Sequence, residues 1–145
     1  MAESKKFLAI LGSRNLPSYF TYEDFKKVVE QFNKDYFNSS LTTSELFIVS
    51  GGARGIDKYA ERLAAEYSLA IEVIKPQWHT YGKSAGFIRN TSIVEKADYV
   101  LAIWDEKSRG TADSIKKALS AKKPVVIYSL ERNHFLETYD PRTLH

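Results

Sequence analysis

Five short, predominantly apolar runs, at residues 6–11, 45–49, 70–74, 99–103 and 124–128, alternate with stretches whose apolar residues recur at helical spacing. Apolar runs without a polar alternation belong to strands buried on both faces. Strand and helix in strict succession then point to a parallel sheet with helices packed on each side. Phe25, Val28, Val29, Phe32 and Tyr36 form one helical stripe behind a Thr21–Asp24 capping pair. Ile56, Tyr59, Ala60, Leu63, Ala64 and Tyr67 form a second. Further helices are predicted over 85–96 and 111–121, and residues 77–83 are predicted to be a loop.

A chain of 145 residues is expected to be a single domain, with a core over about 6–130 and a polar tail over 131–145. It contains no cysteine, which excludes structural disulfides, thiol catalysis and cysteine-bound metal. The first six residues are polar and lack a signal-peptide core, and no run approaches the ~20 apolar residues of a membrane span. A cytoplasmic protein with no membrane partner is therefore expected. The net charge of +3 permits an anionic ligand without demanding nucleic acid.

In an open α/β sheet, ligands lie beyond the carboxyl ends of the strands. Three loops at such ends carry glycine and polar residues. Gly12-Ser13-Arg14 follows the first strand. Ser50-Gly51-Gly52-Ala53-Arg54-Gly55-Ile56-Asp57 follows the second. Ser108-Arg109-Gly110-Thr111 follows the fourth. Glycine admits positive φ and close approach, and the helix behind each loop offers free N–H groups and a positive dipole end. Together these features make an anion site. Arg14, Arg54, Arg89 and Arg109 lie in or beside the loops, and a guanidinium matches phosphate oxygens bidentately. No lysine with Ser or Thr follows Gly55, and no G-x-G-x-x-G occurs, so neither a Walker loop nor a standard dinucleotide site is indicated. His79, His134 and His145 stand far apart without a second ligand at metal spacing, so no metal or cofactor is expected. Trp78, Tyr81 and Trp104 are loop aromatics that either stack on a base or pack locally. Asp105 either accepts hydrogen bonds from a ligand or caps a turn.

These pieces, with Ala85-Gly86, Arg89-Asn90 and Ala97-Asp98, resemble the SLOG superfamily of Rossmann-like proteins. That superfamily includes DprA, the LOG hydrolases and the YspA/YpsA-related group, and the order and spacing look closest to the YspA-related branch. The resemblance implies a three-layer α/β/α fold with a five-stranded parallel sheet in the order 3-2-1-4-5. It also implies a nucleotide or nucleotide-derived ligand and a homodimer or homotetramer. LOG proteins place a catalytic glutamate where this chain has Ser114. Serine cannot act as that acid or base.

The leading expectation is accordingly a nucleotide-binding sensor, carrier or sequestering protein of the signalling, phage or conflict-system kind. Its ligand would lie among Gly12, Ser13, Arg14, Ser50, Gly51, Gly52, Arg54, Gly55, Asp57, Trp78, Tyr81, Arg89, Asn90, Trp104, Asp105, Ser108, Gly110 and Thr111. The alternative is an enzyme acting on a nucleotide N-glycosidic bond, with Asp57, Asp105 or Asp113 as its carboxylate. Binding of single-stranded DNA is a third and weaker alternative.

Overall fold

The computed structural model describes residues 6–43, 45–136 and 138–141. The polar start at 1–5 and the end of the expected tail at 142–145, His145 included, lie outside them. The elements run β1 (Lys6–Gly12), α1 (Tyr22–Phe37), β2 (Leu46–Ser50), α2 (Ile56–Tyr67), β3 (Ala70–Val73), α3 (Trp78–Tyr81), α4 (Ala85–Lys96), β4 (Tyr99–Trp104), α5 (Arg109–Ser120), β5 (Val125–Ser129) and β6 (His134–Phe135). The sheet order is β3-β2-β1-β4-β5-β6. The first five strands are parallel and stand in the expected order, giving a Rossmann-like α/β fold.

The apolar runs follow from burial on both sides. Leu8 and Ile10 of β1 point into a core shared with Phe25, Val29 and Phe32 of α1 and Ile56, Ala60 and Leu63 of α2. Their neighbours Ala9 and Leu11 point into a second core, against Ile93 and Val94 of α4 and Ile115 and Ala118 of α5. The Thr21–Asp24 pair is a full capping box. The Asp24 N–H donates to Thr21 Oγ1 at 3.2 Å, and the Thr21 N–H donates to Asp24 Oδ2 at 2.9 Å.

Two short elements depart from the sequence reading. Residues 78–81 form one helical turn rather than a loop, followed by a 3₁₀ turn at Gly82–Ser84. Part of the expected tail returns to the sheet. β6 pairs antiparallel with β5, and Tyr139 bridges to Val125. Among the described residues, no helix is long and apolar enough to cross a membrane.

Candidate functional site

The strand order reverses between β1 and β4, and the loops leaving these two strands are stitched together. The Ser13 N–H donates to Ile103 O at 3.1 Å. The Asp105 N–H donates to Ser13 Oγ at 3.0 Å. The 51–55 loop closes on the same point, where the Ile56 N–H donates to Ser13 O at 3.2 Å. Gly55 sits there with φ +78, and a Cβ would lie 2.4 Å from Ser13 O, so only glycine fits the junction. At Gly12 a Cβ would meet Ile103 O at 2.2 Å.

A cleft of about 350 Å³ opens at this edge, over the α4–α5 side of the sheet. Gly12, Arg14, Gly51, Asp57 and Trp78 line it, as do Arg89, Asn90, Ser108, Gly110 and Thr111. Four cations, Arg14, Lys83, Arg89 and Arg109, face a single carboxylate, Asp57. The amino end of α5 forms part of the wall. Its N-cap Ser108 gives no side-chain cap, and its hydroxyl instead meets Ser13 Oγ at 3.2 Å and Asp105 Oδ1 at 3.0 Å. Among the described residues, the N–H groups of Arg109, Gly110 and Thr111 find no acceptor. Three open donors at a helix start, beside arginines, suit an anion.

Arg89 is fixed rather than free. Its Nη1 donates to Gly51 O at 2.5 Å and its Nε to Asn90 Oδ1 at 3.0 Å. Asn90 in turn donates to Gly110 O at 3.2 Å and to Asp113 at 3.3 Å. This chain ties α4 to the 51–55 loop and to the start of α5. Burial lowers the Arg89 pKa, while the nearby Asp57 works the other way. Asp57 is 7% exposed, and its Oδ2 accepts the Ala53 N–H at 3.0 Å. Burial pushes its carboxyl up to about 6, against the Ala53 hydrogen bond and the charges of Arg89 and Arg14.

Eight of the expected residues do not line the cleft: Ser13, Ser50, Gly52, Arg54, Gly55, Tyr81, Trp104 and Asp105. Ser13 is fully buried between the two loops. Ser50 is equally buried, and its Oγ has no partner among the described residues. Arg54 donates instead to Asn15 Oδ1 at 3.0 Å. Trp104 Nε1 donates to Ser108 O at 3.1 Å. Asp105 accepts from the N–H groups of Lys107 and Ser108, both at 2.8 Å. Burial opposes its charge, but these bonds outweigh that and hold its pKa below the usual range. Asp113 is paired with Lys117 at 2.8 Å. Of the three candidate carboxylates, only Asp57 reaches the cleft.

The cleft also recruits Arg109, one of the four arginines expected beside the loops, and residues the sequence reading passed over as ligands, including Asn15, Lys83, Phe87 and Ser114. Phe87 had a legible signal. It and Ile88 are apolar but fall off the stripe of Ala85, Arg89, Ile93 and Val94 that α4 buries. They are 49% and 38% exposed, and Trp78 and Tyr81 are 53% and 47% exposed.

This fold and cleft define a Rossmann-like α/β protein with a basic cleft at the switch-point edge of its sheet. A family model described as DNA recombination-mediator protein A matches residues 1–81, more than half of the chain, and the protein belongs to that family. Its DprA-like fold is that of the SLOG superfamily. The gene 61 protein of Mycobacterium phage D29 is 36% identical over 87 residues, spanning 56% of this chain and 70% of that protein. DNA processing protein A from Helicobacter pylori, described with a single-stranded DNA binding mode, has a similar fold at 20% identity and a TM-score of 0.63. That match covers 96% of this chain and 70% of the other. DprA from Streptococcus pneumoniae matches at 19% identity and a TM-score of 0.66, over 85% of this chain and 50% of its own.

Proposed function

We propose that this protein binds single-stranded DNA, holding one nucleotide of the strand in the cleft. Its phosphate would rest on the open N–H groups of Arg109, Gly110 and Thr111, between Arg14 and Arg89. The exposed rings of Trp78, Tyr81 and Phe87 would stack on neighbouring bases. The observation that carries this reading is the open amino end of α5 inside a cleft with four cations. Family membership supports a strand over a free ligand.

A cleft of about 350 Å³ also suits one small molecule, which favours a free nucleotide as the second reading. On either reading Asp57 is, among the described residues, the one carboxylate lining the cleft that N-glycosidic chemistry could draw on. The spacing of the glycine loops supports placing the chain in the YspA-related branch.

Anisotropy of a labelled thymidine oligonucleotide, with nucleoside monophosphates as competitors, tests the proposal. Binding should weaken with salt, with a log–log slope of about −0.7 per phosphate neutralised. Monophosphates should compete weakly. Tight displacement by a monophosphate would shift the reading to a free nucleotide, and no binding of either at low salt would end both.

A further inference from the structure

Asp57 is out of place in a site for an anion. It lines a cleft whose other charged groups are all cationic, yet it is 7% exposed and one of its oxygens occupies a loop N–H, that of Ala53. The charges around it come from every side. Arg89 approaches from α4, Arg14 from the loop after β1, and Glu61 from α2 itself. The stem of Lys75, which follows β3, lies beside Gly52. None of these cations forms an ion pair with Asp57 within 4.0 Å among the described residues, and Arg89 spends two donors on Gly51 O and Asn90 Oδ1. The carboxylate is thus compensated only at a distance, by the same two arginines that a bound phosphate would engage.

We propose that Asp57 makes ligand binding proton-linked: its carboxylate takes up a proton when a phosphate enters, so the cleft holds its ligand more tightly in mildly acidic than in alkaline solution. The inference rests on the proposed phosphate site. The physical reason is competition for charge. A phosphate draws on the field of Arg14 and Arg89, excludes water from the loop, and leaves a buried carboxylate facing a second anion. Both changes favour the neutral acid. The neutral acid keeps its acceptor oxygen for the Ala53 N–H and gains an O–H that can donate toward the incoming oxygen.

The sign and size follow from linkage. The free protein releases the Asp57 proton near pH 6. If the complex retains it, affinity falls by up to tenfold per pH unit above that point, roughly 20-fold between pH 6.5 and 8. The probe is a rhodamine-labelled thymidine oligonucleotide without terminal phosphates, since phosphodiesters do not titrate in this range. Ionic strength is held constant. Wild type should lose roughly 20-fold in affinity across that interval, and Asp57→Asn, which keeps an acceptor for Ala53, should show a flat profile. Calorimetry of wild type in buffers of different ionisation enthalpy should show close to one proton taken up per oligonucleotide bound at pH 7.5. A flat wild-type profile without proton uptake overturns the inference while leaving the binding site standing. An equal slope in Asp57→Asn also overturns it, by assigning the proton elsewhere. Absence of binding at every pH overturns the site itself, and the proton link with it.

Discussion

Asp57 carries its negative charge at neutral pH against the preference of its surroundings. Its folded pKa, about 6, lies above the ordinary carboxylate value near 4. The folded state therefore holds the proton more tightly than the unfolded chain. That contribution to stability is fully present below the unfolded pKa and is lost as pH rises through about 6. Above that pH the buried charge costs about 3 kcal/mol. Asp57→Asn should raise stability by about 1–3 kcal/mol at pH 7.5 and by little at pH 4.5, measured by urea denaturation. A variant equally destabilised at both values would contradict the assignment. Residues such as Gly55 and Arg14 were legible in the sequence because glycine and arginine at a strand end imply turn geometry and anion chemistry. The turn-capping alternative for Asp105 was legible too, and its carboxylate accepts from the N–H groups of Lys107 and Ser108. The role of Ser13 was not: its hydroxyl accepts the Asp105 N–H from the loop after β4, and only the joining of β1 to β4 reveals that it holds the loops together.

Two helix ends on the α4–α5 side of the sheet are treated differently. The carboxyl end of α4 is closed by Lys123, whose Nζ donates to the carbonyls of Val94, Glu95 and Ala97. The amino end of α5 is left open into the cleft. Lys123→Met should keep the alkyl packing but strand three carbonyls, costing about 1–3 kcal/mol in a denaturation experiment while leaving the cleft intact. An unchanged midpoint would show that water replaces the ammonium. The long helices and strands were legible because a stripe such as Phe25, Val28, Val29 and Phe32 needs two or more turns to declare a period. The four-residue α3 and the two-residue β6 are too short to show one. β6 depends on the reversal at residues 130–133, where Asn133 adopts φ 56, and on Tyr128 meeting Phe135 with ring centroids 5.2 Å apart.

At the scale of the molecule, one rule joins the fold to the site. Two cores hold the sheet between α1–α2 and α4–α5, and the strand order reverses between β1 and β4. Their diverging loops leave a cleft there, and the 51–55 loop of β2 completes its floor. The proposed place for a phosphate of the DNA strand is the open amino end of α5. Gly110 gives the most direct access to it. A Cβ at this position meets nothing within 4 Å, so a side chain can leave the backbone here into open space. A carboxylate in the first helical turn should leave stability unchanged or raise it by about 0.3–1 kcal/mol. It would also place a negative charge where the phosphate is proposed to lie, costing several kcal/mol at ~4 Å in a partly shielded site. The deciding measurement is therefore oligonucleotide affinity of Gly110→Asp beside wild type, with both melting curves recorded. An intact fold with affinity reduced at least about tenfold is expected. A well-folded Gly110→Asp that binds the oligonucleotide as tightly as wild type would contradict it.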